Sequence, residues 1–220
     1  MPQITPDTFH DLRRAPDSIT VFTEAGEQTL QAAQDGKNLR VRSPPPGGLG
    51  VTLSAPTSAV TRLRLRWRGR TDGIRLILGD AWERGYGDLE WRGVTPDRVL
   101  PWYWAAWDGH QTHGYGVRTL PHAFCFWQAD SEGISLWADV RSGGRGVQLG
   151  ARVLDVCEVL CRRGAEGESP FDALRAFCRQ MCLTPRLPDH PVYGHNDWYY
   201  AYGNISAAQV REDAKRVVDL

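Results

Sequence analysis

The sequence has no surplus of either charge, no apolar run of membrane-spanning length and no even set of cysteines. Each absence removes a class of protein. Lys+Arg and Asp+Glu both number 26, so the net charge is zero, and nothing favours nucleic acid or an anionic membrane as a partner. No segment approaches the ~20 consecutive apolar residues that a spanning helix needs. The opening Met-Pro-Gln-Ile-Thr-Pro-Asp has neither the basic nor the apolar stretch of a secretory signal. Cys125, Cys157, Cys161, Cys178 and Cys182 make an odd set of five, which fits free thiols in a reducing compartment better than a complete disulfide framework. The expectation is a soluble, cytoplasmic protein without cofactor, metal, nucleic acid or membrane.

What is present is enough apolar material for a core: 41% of residues are hydrophobic, too many for a disordered chain. Tryptophan is the unusual component. Eight of the nine lie between Trp67 and Trp137, concentrating large, rigid rings in one stretch. With 220 residues there is room for one large domain, or for one domain and part of another.

Up to residue 160 the signals are those of strands. Residues 19–23, 38–42 and 51–54 are short, alternating or β-branched, and separated by Gly, Pro, Asp and Asn. Pro-Pro-Pro-Gly-Gly at 44–48 reads as a tight loop. Residues 62–68 alternate strictly, with Arg62, Arg64, Arg66 and Arg68 on one face and Leu63, Leu65 and Trp67 on the other. The arginine row is either a ligand face or a solvated outer face. Asp72 and Gly73 predict a hairpin turn into residues 74–78. Further strands are expected at 122–129 and 134–140, around a turn at 131–133, and over 147–161, where Val153, Cys157, Val159 and Cys161 share a face. Together these predict a mainly β, antiparallel β-sandwich over residues 1–165.

Residues 166–188 read as a linking helix and linker. Ser169 is the expected N-cap and Pro170 the first helical residue. Phe171, Leu174, Phe177, Cys178, Met181 and Cys182 form the expected apolar stripe, with Cys178 and Cys182 as small hydrophobes and not a metal pair.

Residues 189–220 read as strand, loop and amphipathic helix. A short apolar run at 191–194 breaks into a polar and aromatic turn. Ser206 and Gln209 then offer a capping box, and Val210, Ala214, Val217 and Val218 fall on one helical face. One βα unit cannot bury its own stripe, and no stop signal comes after the helix. The expectation is the front of a longer protein, cut at the first unit of a parallel α/β domain. In a (β/α)₈ barrel, functional groups sit at the C-terminal ends of strands, here Asn196 to Tyr200. The 79–116 segment is a second candidate, because its rings (Trp82, Tyr86, Trp91, Trp102, Tyr103, Trp104, Trp107, Tyr115) interleave with acids, His110 and His113. It is read either as sugar-stacking surface or as core and loop; the two histidines are too sparse for a metal site.

Gly-His-Asn-Asp-Trp at 194–198, with Tyr-Tyr-Ala-Tyr-Gly after it at 199–203, resembles the Gly-Trp-Asn-x-Trp segment on the first barrel strand of α-galactosidases in glycoside hydrolase families 36 and 27. Pieces at 79–87, 100–103, 114–118 and 169–171 resemble the sandwich domain before that barrel. The resemblance implies a supersandwich domain, a linking helix and the first βα unit of a truncated (β/α)₈ barrel. It also implies a retaining hydrolase of α-galactosides, with two carboxylates about 5 Å apart. Both would lie on later barrel strands, so no catalytic residue is expected in this chain. Trp198 matches the Trp lining the galactose pocket and Asn196 matches the family Asn. His195 replaces the first Trp, and Asp197 stands at the variable position. Trp198, Asn196, Asp197 and Tyr199 are the candidate substrate-binding residues. The expected partner is a carbohydrate substrate, with a homo-oligomer in the intact protein. The alternatives are a raffinose-type galactosyltransferase and a free-standing carbohydrate-binding or interaction β-sandwich.

Overall fold

A computed structural model describes residues 8–31, 40–42, 50–79, 89–194 and 196–218, with backbone only at 31 and 40–42. The 44–48 loop, Trp82, Tyr86 and His195 lie outside the described residues. The chain divides into two compact units, Met1–Leu183 and Thr184–Leu220.

The first unit is mainly β. Its strands are β1 (Ser18–Thr23), β2 (Gly26–Gln31), β3 (Arg40–Arg42), β4 (Gly50–Ser54), β5 (Val60–Arg68) and β6 (Leu76–Gly79). Then come β7 (Leu100–Pro101), β8 (Tyr103–Trp107), β9 (Thr112–Val117), β10 (Phe124–Asp130), β11 (Gly133–Asp139) and β12 (Val153–Arg162). They form two antiparallel six-stranded sheets, in the orders β2-β1-β5-β11-β10-β7 and β3-β4-β12-β9-β8-β6. Inward residues of both sheets join in one apolar cluster, so the unit is a β-sandwich.

Strand β5 shows how the sequence dictates this. Leu63, Leu65 and Trp67 are at most 2% exposed, while the arginines between them face outward. Burying each such apolar side chain stabilises the fold by roughly 1.5–3 kcal/mol.

Three expectations fail on connectivity. Residues 62–68 and 74–78 are not a hairpin, because β5 pairs with β1 and β11 whereas β6 pairs with β8 in the other sheet. The turn at Asp72 and Gly73 carries the chain between sheets, which a local turn signal cannot distinguish from a return to the same sheet. The expected strand over 147–161 begins at Val153; Val147 makes only an isolated bridge to Val60. Inside β12 a bulge between Asp155 and Cys157 flips the alternation. Val153 is consequently 64% exposed while Cys157, Val159 and Cys161 point inward.

The chain changes sheet again at Trp102, between β7 and β8. Its φ of 58° makes a one-residue corner. The corner is fixed by hydrogen bonds from Trp127 Nε1 and Val117 N to the Trp102 carbonyl, at 3.0 and 3.2 Å.

Helix α1 (Pro170–Met181) covers the outer face of the second sheet. Ser169 caps it, accepting a bond from Asp172 N at 3.1 Å, and Pro170 opens it. Ala173, Phe177 and Met181 are the buried stripe, packed with Leu160. Phe171, at 70% exposure, and Cys178 point to solvent instead, because only one narrow face meets the sheet. Gly114 and Gly116 make room for it: a Cβ at Gly114 would stand 2.5 Å from Phe177 Cγ, and one at Gly116 would stand 2.9 Å from Met181 Sδ. The end of α1 is held by Arg118 Nη1, which donates to the Gln180 carbonyl at 3.2 Å, and by Thr119 N to the Met181 carbonyl at 3.1 Å. All five cysteines are free; burial pushes the Cys161 thiol up to about 11.

In the second unit no strand forms at 191–194. A strand exists through its ladder partners, and the described residues of this unit provide none. The chain instead makes a single turn, α2 (Trp198–Ala201), a 3₁₀ turn at Tyr202–Asn204, and α3 (Ala207–Val218). Among the described residues, no helix is long and apolar enough to cross a membrane.

Candidate functional site

The expected site residues lie together in the second unit. Asn196 Oδ1 accepts a hydrogen bond from Trp198 N at 3.0 Å, an Asx turn that starts α2. The Asp197 carbonyl accepts from Ala201 N at 2.9 Å and closes that turn. These local bonds fix a tight knot of rings. Trp198 meets Tyr202 edge to face, centroids 5.5 Å apart and planes at 68°. Tyr202 itself has φ 47°, a positive value that a bulky side chain adopts only under constraint.

The rings face solvent. Trp198 is 59% exposed, Tyr199 80%, Tyr200 53% and Tyr202 60%. Exposed rings of this kind can stack on the C–H faces of a sugar, with Asn196 and Asp197 beside them to bond hydroxyls.

Helix α3 contributes a wall that the sequence pattern did not assign to the site. Ser206 caps it, accepting from Gln209 N at 3.2 Å. The reciprocal half of the expected capping box is not made, because Gln209 Nε2 donates to Asp213 Oδ1 at 3.2 Å. The Tyr200 hydroxyl donates to the other oxygen of Asp213, and this bond raises the phenol above its ordinary pKa. A cleft of about 290 Å³ is lined by Tyr193, Gly194, Asp197, Val210, Asp213, Ala214, Val217 and Val218. The signal for Asp213 was its i, i+4 spacing from Gln209 on the helix.

The described residues of the second candidate segment do not come together as a site. Trp104 and Tyr115 are fully buried and stack on each other at 4.5 Å, as core. His110 is exposed whereas His113 is 1% exposed, and the described residues hold no metal-ligand cluster.

His113 belongs to a buried polar latch. Its Nδ1 accepts from Gly164 N at 3.1 Å, so in the neutral ring the proton sits on Nε2, which faces Asp108 Oδ2 at 3.4 Å. Thr8 Oγ1 donates to the same carboxylate oxygen at 2.5 Å. The other oxygen accepts from His110 N and Gln111 N at 2.8 and 2.7 Å. Burial pushes Asp108 up, but these donors outweigh it and hold the carboxyl at about 2. The cluster anchors the incoming chain to the sandwich.

Compared with known protein families, characterised proteins and solved structures, the chain matches none. The functional reading therefore stands on residues and geometry alone. Of these, the 194–203 loop is the only described stretch that places exposed Trp and Tyr rings, an amide and a carboxylate side by side.

Proposed function

We propose that the chain is the N-terminal portion of a retaining glycoside hydrolase acting on α-galactosides, similar to families 36 and 27. In this reading the finer architecture is a supersandwich, a linking helix and the start of a (β/α)₈ barrel, with both catalytic carboxylates supplied by later barrel strands. The observation that carries the reading is the 194–203 loop, which comes after an antiparallel sandwich and a capped helix in the order the resemblance requires. Trp198 offers the stacking wall, while the Asn196 amide, Asp197 and Tyr199 offer groups for sugar hydroxyls. Removing the Trp198 ring from the whole enzyme takes away a surface worth roughly 1–3 kcal/mol. That corresponds to about 10- to 100-fold in kcat/KM.

The test is hydrolysis of an aryl α-galactoside by the product of the whole gene, with the released anomer monitored by NMR. Retention of the α configuration is expected. Inversion, or no turnover of any α-galactoside, removes the hydrolase reading; transfer of galactose to a sugar acceptor in place of water selects the galactosyltransferase.

One observation favours a second reading, a free-standing carbohydrate-binding sandwich. The first unit closes its own core and covers an outer sheet face with α1, and the described part of the second unit has no strand. Saccharide binding by the 220-residue chain, without turnover by the whole-gene product, would select it.

A further inference from the structure

Two cysteines of the first unit meet across the sandwich, in a place that the 194–203 site does not use. Cys125 lies on β10 of the first sheet and Cys157 on β12 of the second. Both belong to the apolar cluster between the sheets, at 0% and 5% exposure. Plain alternation along β10 turns Cys125 inward together with Trp127. Cys157 is turned inward by the bulge after Asp155, which resets the alternation of β12. The Cys125 thiol donates to the Ala123 carbonyl at 3.6 Å, and its sulfur is hydrogen-bonded by the Cys157 thiol.

The backbone around this pair is tied between the same two sheets. His122 N donates to the Val156 carbonyl at 3.0 Å, and His122 Nδ1 donates to the Asp155 carbonyl at 2.7 Å. Trp102 N donates to the Cys125 carbonyl at 3.1 Å. These bonds hold the chain entering β10 against β12, so the sulfurs stay together without movement of either sheet. Closing a hydrogen-bonded thiol pair to the ~2.05 Å of an S–S bond takes a shift of about 2 Å. Rotation of the two side chains supplies that. The other three thiols are placed elsewhere: Cys161 donates to Asp11 Oδ1 at 3.5 Å, and Cys178 and Cys182 stand on and at the end of α1. An odd set of cysteines therefore contains one matched pair.

We infer that Cys125 and Cys157 are a thiol–disulfide site, which a low-molecular-weight disulfide of the glutathione type oxidises to a bridge between the sheets. One protein thiolate attacks the small disulfide, breaks its S–S bond and expels one small thiolate, leaving a mixed disulfide. The second protein thiolate attacks the protein sulfur of that intermediate and expels the other small thiolate. Each expelled thiolate takes up a proton that a protein thiol has lost. Two electrons thus pass from the protein to the small disulfide. The Cys125 thiol beside it and burial push the Cys157 thiol well above its ordinary range, so exchange passes through a transient opening of the sandwich. Once formed, the bridge closes a loop through β10 and β11 and restrains the sheets from separating. The inference uses only residues of the first unit and stands apart from the reading of the 194–203 loop.

The test starts from the 220-residue chain, equilibrated with oxidised glutathione in mild urea and then returned to buffer. Thiols are counted after denaturation without reductant, and bridges are located by mass spectrometry of proteolytic peptides. Two of the five thiols are expected to be lost, with Cys125 joined to Cys157. Tm should rise by roughly 5–15 °C and fall back when dithiothreitol is added. The same treatment of Cys157→Ala should leave Tm unchanged. Retention of all five thiols, glutathione adducts in place of the bridge, a bridge between other cysteines, an unchanged or lowered Tm of the parent, or an equal rise in Cys157→Ala overturns the inference. Should Cys157→Ala fail to fold, the peptide map and the melting of the parent chain decide alone.

Discussion

In Met1–Leu183 the core is built on large rings: Trp104, Trp127 and Tyr115 are fully buried and Trp67 is 2% exposed, while Trp102 at its corner is 46% exposed. In Thr184–Leu220 every described Trp and Tyr is more than half exposed, from Tyr200 at 53% to Tyr193 at 84%. The same residue types serve stability in one unit and remain available for contact in the other. What separates them is partners. A sandwich strand meets neighbours on both edges and a second sheet on one face, so a ring is enclosed on all sides. Within the second unit the described residues build no sheet and no second layer, and the apolar side chains of α3 stay open, with Val210 48% and Val218 84% exposed.

The sharpest way to break this comparison is to truncate a ring in each unit. Trp127→Ala should cost about 3–5 kcal/mol, because the ring leaves a cavity and the Trp102 corner loses its Nε1 donor. Trp198→Ala in the same chain should cost less than about 0.5 kcal/mol. Urea denaturation of both variants checks it; equal losses would place Trp198 in a core.

A second prediction addresses how α1 is fitted to its sheet. Gly114→Ala puts a methyl against Phe177 and should destabilise by about 1–3 kcal/mol. Combined with Phe177→Ala, the penalty should be much smaller than the sum of the two single losses, since the clash disappears with the ring. Additive losses in a double-mutant cycle would mean that α1 does not rest on Gly114.

The Asp108 latch makes the first unit sensitive to acid. Its folded pKa, about 2, lies below the ordinary value of about 3.9. The contribution is therefore complete above pH ~4 and is lost as pH falls toward 2. It should amount to no more than about 2 kcal/mol. Stability measured from pH 5 to 2 should fall less steeply in Asp108→Asn than in the parent. Identical slopes would show that the latch does not matter to the fold.

The smallest effect is expected at α3. Its backbone amides should exchange with solvent far faster than those of β5 and β11, because none of its described side chains is buried. Strong protection of 207–218 in a monomer would close the difference between the two units.

Some of this was written in the sequence. The alternation of β5, the 131–133 hairpin and the Ser169 and Pro170 start of α1 are local patterns, set by residues within a few positions of one another. So was the knot at Asn196 to Trp198, because an Asx turn spans two residues. Other features needed the tertiary structure. Whether the chain after Gly73 returned to its own sheet or crossed to the other depended on which strands were left unpaired. The exposure of Val153 depended on a bulge that no local pattern marks, and the outward turn of Phe171 and Cys178 depended on how narrow a strip of α1 the sheet could cover. The expected strand at 191–194 shows the same limit, because a βα pattern can be read from local sequence but a strand is made only by a neighbour's hydrogen bonds. Sequence determined which faces are apolar and where turns and caps fall. Partner strands and the packed helix decided which of those faces are buried, since burial belongs to a pair of surfaces and cannot be encoded by one of them alone.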